Sequence, residues 1–325
     1  MSFDQIPGQE KAKRILQNAL RSGRLSHAYM FTGPLGTGRK AMALTLAQAI
    51  FCTERQDDAC GRCLECRKVE HGNHPDVFHI EPVGTSIKID QIRELQKEFA
   101  FRTTSSGAKV YIIQEADRMT IQAANSLLKF LEEPQSRIIA VLLTENGQAV
   151  LPTIRSRSQW IPFTPLAASE LAPILVQEGA APELARAAAE LTAGLGAARE
   201  FIHGNWFAEV RGVMIQLMKE CCSRSPDMWL TLQQKVMKGE AAQHLETFFD
   251  LLFLWFKDMI LVRCGKVEHL VYIDQAEWLK KMAFSKETGS WARAMERASE
   301  MKKRLRYHVN PQLALEQFLL DVQGE

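Results

Sequence analysis

Residues 28–40 read AYMFTGPLGTGRK. The first five are apolar enough for a buried strand, a glycine-rich stretch follows, and residues 39–51 have the pattern of a helix. This order is the setting of a phosphate-binding P-loop, G-x-x-x-x-G-K-S/T, whose glycines let backbone N–H groups surround a phosphate at a helix N-terminus. Gly33, Gly36 and Gly38 are therefore the candidate cradle.

The two positions after the last glycine depart from this motif. Arg39 stands where the phosphate-binding lysine belongs, and Lys40 stands where a hydroxyl should hold Mg²⁺. A planar guanidinium does not replace a compact ammonium, and lysine offers no oxygen to a metal. Shifting the motif by one residue would put Ala41 at the hydroxyl position. We therefore predict a degenerate, inactive cradle that does not bind ATP.

A second strand supports this interpretation. Residues 110–113 are apolar, and Gln114 and Glu115 follow them. A working strand of this kind ends in an aspartate that orients the metal's water shell and a glutamate that handles the attacking water. Only the glutamate is present here. A glycine-rich turn can arise by chance, but the matching second strand makes a nucleotide-type scaffold the better interpretation.

Other apolar runs lie at 77–80, 140–144 and 160–163, and helix-period segments lie at 89–99 and 121–131. Continuous apolar strands alternating with helices predict an α/β fold with a doubly wound parallel sheet. The run at 160–163 contains a proline, which predicts an edge strand. After residue 165 every readable segment is helical. We predict three domains, over residues 1–165, 166–207 and 208–325.

Four of the seven cysteines, Cys52, Cys60, Cys63 and Cys66, fall within residues 52–66. Four thiolates at this spacing can surround one zinc ion tetrahedrally. Four unrelated thiols or a disulfide pair are the alternatives, and a disulfide is disfavoured because residues 1–5 do not begin a secretion signal. We predict a structural zinc site in a small exposed knuckle, with no need for the nearby His71 and His74.

Charge and hydropathy exclude other classes of protein. Lys and Arg number 40 and Asp and Glu 38, a net charge of +2, so the bulk charge does not hold nucleic acid. The most apolar stretch, 245–262, is interrupted by four charged residues and predicts a buried helix rather than a membrane span. We expect a cytoplasmic protein with no membrane partner.

Residues 151–158 read LPTIRSRS and form a helix start with two arginines, Arg155 and Arg157. Solvated surface charge is one interpretation. The other is an arginine finger, which stabilises a transferring phosphoryl group in a neighbouring subunit. These residues alone favour the first.

Several of these segments together resemble the AAA+ subunits of bacterial DNA polymerase III clamp loaders. The resemblance rests on LSHAYMFTGP at 25–34, the four-cysteine insert, ANSLLKFLEEP at 124–134 and LPTIRSR at 151–157. It is specific over residues 1–205 and weaker in the helical C-terminal part, where NPQLALE at 310–316 fits. A degenerate P-loop beside an intact Ser156-Arg157 is similar to the delta-prime members of this family.

The resemblance implies a role in DNA replication as one member of a hetero-pentameric ring. Its partners would be the gamma/tau motor subunits and delta, and the assembled ring would load the sliding clamp onto primer-template DNA. The chain would not hydrolyse ATP but would supply Arg157 as a finger in trans. Ser158 stands where the family usually has a cysteine, which does not react.

The resemblance also assigns the helical parts. Residues 166–207 would be a lid, with Arg199 in a sensor-2-like segment that has no phosphate to sense. Residues 208–325 would be a collar that joins the subunits. The apolar helix at 248–261 carries more apolar surface than a lone bundle needs, so we expect a neighbouring subunit to cover it.

Two alternatives remain. An ATP-hydrolysing gamma/tau-type motor subunit is disfavoured by Arg39, Lys40 and Gln114. A zinc-knuckle DNA-binding protein on a vestigial nucleotide fold is disfavoured by the near-neutral charge and the lack of a clustered basic face.

Overall fold

The computed structural model describes residues 1–99, 108–132, 137–305 and 310–324. The chain divides into two compact units. The first comprises Met1–Leu166 with Ala193–Gly196, and the second comprises Ala167–Thr192 with Ala197–Glu325. The three-domain division stays a prediction.

The first unit is built on a parallel sheet. Its strands are β1 (Ala28–Thr32), β2 (Val77–Ile80), β3 (Ala108–Ile113), β4 (Arg137–Thr144) and β5 (Gln159–Pro162). Their order is β2-β3-β4-β1-β5, and every pairing is parallel. The predicted parallel sheet is thus confirmed, with the proline-containing strand β5 at an edge. Because all strands run the same way, the segments after β1, β3 and β4 meet at one edge of the sheet.

Helices cover both faces of this sheet. They are α1 (Glu10–Arg21), α2 (Arg39–Phe51), α3 (Leu64–Glu70), α4 (Ile89–Phe99), α5 (Ile121–Glu132) and the short α6 (Pro152–Arg155). Alternate residues of each strand point to opposite faces, so Tyr29 and Phe31 pack in one core and Ala28 and Met30 in another. Sheet and helices therefore enclose two apolar cores, as the doubly wound interpretation requires.

The sequence patterns missed α1 and α3. Residues 12, 15, 16, 19 and 20 are apolar at helical spacing, a signal that predicts α1. Helix α3 begins inside the four-cysteine segment, whose spacing indicates a metal site rather than a helix. The thiol of Cys63 caps this helix by accepting the Cys66 N–H.

The second unit consists of helices joined by turns, with no strand among its described residues. Its helices are α7 (Ala168–Gln177), α8 (Pro182–Leu191), α9 (Leu195–His203, whose first two residues belong to the first unit), α10 (Asn205–Cys222), α11 (Asp227–Thr231), α12 (Leu245–Arg263), α13 (Ala276–Met282), α14 (Thr288–Leu305) and α15 (Pro311–Gly324). A π-helical turn, Leu232–Val236, continues α11. No helix in the described ranges is long and apolar enough to cross a membrane.

The expectation that a neighbouring subunit covers the apolar helix is wrong. Within this chain alone, ten residues of α12 are buried, including Phe248, Trp255 and Phe256. Helix α14 packs along α12, and α10 and α13 pack beside it. The excess apolar surface is therefore buried inside its own unit, because several helices rather than one surround it.

Candidate functional site

The glycine-rich loop has the backbone shape that its glycines allow. Gly36 and Gly38 adopt positive φ angles of 82° and 87°, which side chains disfavour. A Cβ atom at Gly33 would lie 2.3 Å from the carbonyl oxygen of Phe163, so only glycine fits beside the end of β5. The loop thus leads from β1 into α2 in the arrangement that the sequence predicts.

A second segment lies directly on this loop. Ala193–Gly196 belongs to the first unit, and a Cβ atom at Gly194 would lie 1.8 Å from the carbonyl oxygen of Gly36. Backbone therefore covers part of the cradle at Gly36. The sequence patterns did not reveal this contact, since a lone glycine does not indicate what approaches it.

Arg39 lies inside the first unit rather than in the cradle. Its side chain is 9% exposed, and its Nη2 atom lies 3.8 Å from Oε1 of Glu145, which follows β4. Burial lowers the pKa of Arg39, and the carboxylates of Glu145, Asp117 and Glu115 oppose that change. A guanidinium titrates far above neutral pH, so it stays charged here. Its charge is compensated by the chain's own carboxylates.

Lys40 pairs with another carboxylate. Its Nζ atom lies 3.3 Å from Oε1 of Glu81, after β2, and the side-chain amide of Gln114 donates to the same oxygen. Glu115, the remaining acidic residue of the second strand motif, lies 2.7 Å from Nε of Arg118. The substituted residues and the remaining acid thus all have partners within the chain.

The two arginines after β4 differ in their surroundings. The guanidinium carbon of Arg155 lies 5.6 Å from the centre of the Trp160 ring, a cation–π contact. Arg157 is exposed, and its Nη1 donates to the carbonyl of Thr153 at 3.2 Å. Arg155 therefore packs on its own chain, whereas Arg157 lies at the surface.

The four predicted cysteine ligands lie together. The sulfur atoms of Cys52, Cys60, Cys63 and Cys66 are all within 4.8 Å of one another. Zn–S bonds of about 2.3 Å in a tetrahedron place the sulfurs about 3.8 Å apart. The 3.9 Å between the sulfurs of Cys60 and Cys66 is close to that value. The cluster can therefore hold one metal ion.

Backbone N–H groups favour the thiolate of Cys63, whereas burial raises the pKa of Cys60 and of Cys66. The N–H of Cys63 donates to the sulfur of Cys60 at 3.2 Å, and that of Cys66 donates to the sulfur of Cys63 at 3.4 Å. Burial raises the pKa of Cys63, but bonds from the backbone of Thr53 and Cys66 outweigh it and bring the pKa to about 6. The thiolate is the form that binds metal.

The prediction of an exposed knuckle is only half right. Cys52 and Cys60 are half-buried, but Cys63 and Cys66 are buried in the core that contains Phe3. Gln48 of α2 donates to the carbonyl of Cys66 at 2.9 Å. The cluster is therefore continuous with the main core, because α3 packs against α2.

His74, which the zinc site does not need, and Arg199, in the sensor-2-like segment, both have partners within the chain. The buried His74 accepts the backbone N–H of Asp76 at its Nδ1 atom, at 3.1 Å, and its ring packs against Phe51 at a tilt of 32°. Arg199 makes two hydrogen bonds to the carboxylate of Glu178, one of them at 2.9 Å. Both residues have structural contacts in the chain.

Comparison with known proteins places this architecture in a family. The model of "DNA polymerase III, delta subunit" matches residues 8–167, and its C-terminal counterpart matches residues 216–324. The DNA polymerase III delta-prime subunit of Bacillus subtilis is 38% identical over 316 residues, which cover 97% of this chain and 96% of that protein. This chain belongs to the delta-prime family.

Other relatives match this chain at lower identity or over a smaller share of its length. The delta-prime subunit of Pseudomonas aeruginosa is 32% identical over 73% of this chain and 71% of its own length. The tau subunit of Bacillus subtilis is 37% identical over only 50% of this chain and 29% of its own length. A gamma subunit-related structure from Thermotoga maritima is 20% identical, with a TM-score of 0.41. The match covers 97% of this chain and 98% of that one. Because the two delta-prime subunits match most of this chain and the tau subunit only half of it, delta-prime membership is favoured over the motor-subunit alternative.

Proposed function

We propose that this chain is the delta-prime subunit of a bacterial clamp loader, which does not hydrolyse ATP and supplies Arg157 to the ATP site of a neighbouring subunit. One contrast carries the proposal. Arg39 is buried against the chain's own carboxylates, while Arg157 is exposed on the turn after β4.

The absence of hydrolysis follows from the chemistry of the loop. Phosphoryl transfer needs an ammonium near the β- and γ-phosphates and a hydroxyl and an aspartate for Mg²⁺. Arg39, Lys40 and Gln114 stand at those positions, and each pairs with or lies near a carboxylate of the first unit. A phosphate would have to displace these pairs to recruit the two cations.

The role of Arg157 follows from its exposure. A finger supplied in trans must extend from the surface of its own subunit into the ATP site of the neighbour. There its guanidinium stabilises a phosphoryl oxygen by charge and by paired hydrogen bonds. Arg155, two residues earlier, is held on Trp160 and is the weaker candidate.

The cysteine cluster would hold a structural zinc ion. Cys52, Cys60, Cys63 and Cys66 would supply four thiolates, which leaves no open coordination position for catalysis. When bound, the ion would cross-link the segment 52–66 to the core beneath α2.

The proposed partners are the gamma/tau motor subunits and delta in a hetero-pentamer, with the sliding clamp and primer-template DNA reached through the assembled complex in the bacterial cytoplasm. Residues 166–207 would form the lid and residues 208–325 the collar. Since α12 is buried within the second unit, any collar contact must use other helix surfaces.

Steady-state ATPase of the reconstituted loader, with clamp and primed DNA, tests the finger. We expect Arg157→Ala to lower the rate and Arg157→Lys to restore little, because an ammonium cannot make the two-pronged contact. A finger is worth roughly 10³–10⁵ in rate at its own site, and the loss for the whole complex is partial because other sites keep their fingers. Arg24→Ala, at another exposed arginine of the first unit, is the matched control. Equal rates for all four proteins at equal assembly would refute the assignment.

A further inference from the structure

The segment that carries Arg157 leads into β5, whose backbone pairs with β1. The side chain of Trp160 adds a second attachment between this segment and the end of β1. Its indole N–H donates to the hydroxyl of Thr32 at 2.5 Å. Thr32 is the last residue of β1 and precedes the glycine-rich loop, and it lies 128 positions away in the chain. The Trp160 ring makes a second contact with Arg155, whose guanidinium lies over it. Trp160 thus connects the end of β1 with the last residue of α6.

The packing around this indole is close. A Cβ atom at Gly147 would lie 2.7 Å from Cζ2 of Trp160 and 2.8 Å from Cγ2 of Thr32. Gly147 is buried, so the ring lies against backbone with no room for a methyl group. Close packing against backbone restricts the positions that the ring can adopt.

Burial alone does not account for the position of Trp160. The residue is 39% exposed and lies on an edge strand, so it buries less apolar surface than a core tryptophan does. Its hydrogen bond and its cation–π contact both hold the turn that bears Arg157. A guanidinium on an exposed turn loses rotational freedom when the turn is held in place.

We propose that Trp160 is a positioning residue for Arg157: it fixes the turn between α6 and β5 to the end of β1, so that the finger is presented in one orientation. The inference rests on the proposed function, because it gives Trp160 a role only through Arg157. It predicts that losing the indole acts on the same catalytic step as losing the finger.

The experiment is a double-mutant cycle in the reconstituted loader, with steady-state ATPase measured in the presence of clamp and primed DNA. The variants are Trp160→Ala, Arg157→Ala and the two combined. The finger-dependent rate is the difference between the wild-type rate and that of Arg157→Ala. A 1 Å misplacement can cost about 10²-fold, so we expect Trp160→Ala to reduce this rate by about tenfold or more. KM for ATP should change less than about twofold, since a finger acts on the transition state.

Two substitutions of Thr32 test the hydrogen bond from Trp160 separately, because both leave the indole ring in place. Thr32→Ser keeps the accepting hydroxyl and should keep the rate, whereas Thr32→Val keeps the shape and should lower the finger-dependent rate up to about fivefold. Val83→Ala is the control for loss of an exposed apolar side chain, because Val83 is 65% exposed and lies in the first unit, outside the glycine-rich loop and the cysteine cluster. It should leave the finger-dependent rate unchanged.

The outcomes separate this inference from the function on which it rests. Non-additivity, in which the double variant is no slower than Arg157→Ala, supports the positioning role. If the rate reductions of Trp160→Ala and Arg157→Ala multiply in the double variant, the positioning role is overturned. An unchanged rate in both Trp160→Ala and Thr32→Val would also overturn it, and either result would leave the role of Arg157 as a finger standing. If Arg157→Ala itself has no effect, the proposed function fails and the inference fails with it.

Discussion

At the two positions after Gly38, the local surroundings decide where each positive charge goes. Arg39 points among Glu145, Asp117 and Glu115, and Lys40 pairs with Glu81. Each cation therefore has an internal carboxylate that competes with a phosphate. The pair between Lys40 and Glu81 is exposed and contributes little net stability. The side chain of Arg39 is buried, so loss of its carboxylate partner would leave a buried charge that is costly.

The isolated protein should consequently show no Mg²⁺-dependent ATPase above background and no thermal stabilisation by Mg-ATP. A ligand present at 100 times its Kd would add about 2.7 kcal/mol, which thermal unfolding with and without nucleotide detects readily. Glu115→Ala is the control, since it removes the one acidic residue of the motif that remains. Turnover that disappears in this variant would contradict the prediction and support the motor-subunit alternative.

Among the elements, the segment 52–66 and helix α12 each place polar or sulfur-bearing side chains inside a packed core. The segment contributes Cys63 and Cys66 to the core beneath α2. In α12 the buried Asp258 accepts the N–H groups of Val271 and Tyr272, both at 2.8 Å, and so fixes the chain between α12 and α13.

Protein purified without added zinc should contain about one zinc ion per chain. Cys63→Ser should lose the metal and lower the free energy of unfolding by more than about 2 kcal/mol, because loss of a metal site is among the most destabilising changes. Cys264→Ser, at an exposed cysteine outside the cluster, should change neither quantity. Metal analysis and thermal unfolding of the three proteins check this, and an unchanged zinc content in Cys63→Ser would rule out the ligand set.

Asp258 should make stability depend on pH. Burial raises its pKa to about 6, with Glu190 acting in the same direction and the backbone N–H bonds and Lys257 acting against it. Its unfolded pKa is about 3.9. A pKa raised on folding stabilises the protein below pH 4, and that stabilisation is lost as the pH rises through about 6.

Asp258→Asn keeps an oxygen acceptor without the charge. Relative to wild type, it should therefore gain stability between pH 4 and pH 8, by an amount on the order of 3 kcal/mol. Denaturant unfolding of both proteins across this range measures the difference, in which the other titrating groups cancel. A difference that does not change with pH would show that Asp258 is ionised in the folded protein throughout the range.

At the scale of the whole molecule, charge and burial limit how the protein meets its partners. The net charge of +2 gives no general attraction for DNA. Helix α12 is already covered, so it offers no large apolar surface. Contact with clamp and DNA is therefore expected only as part of an assembly.

The isolated chain should bind primed DNA no more tightly than non-specific proteins do, with Kd of roughly 10⁻⁴–10⁻⁶ M at physiological salt. Fluorescence anisotropy between 50 and 200 mM salt measures both the affinity and its salt slope. Tight binding by the isolated chain would support the zinc-knuckle DNA-binding alternative. The assembled loader, measured in parallel, is the positive control.

Local sequence patterns predict the parallel sheet, the position of the degenerate cradle and the four clustered cysteines. Buried parallel strands need continuous apolar runs, and loop glycines and thiol spacings are local features, so each can be recognised within about 15 residues. Residues 310–316 and the arginines at 155 and 157 were recognisable only through the family resemblance.

Which side chains meet depends on how distant segments pack together. Arg39 faces carboxylates from the loops after β3 and β4, and Trp160 reaches Thr32 across 128 positions. These contacts follow from the strand order, which brings the ends of distant strands to one edge. The coverage of α12 by α14 likewise depends on how helices pack. No local pattern encodes such contacts, because they arise between residues far apart in the chain.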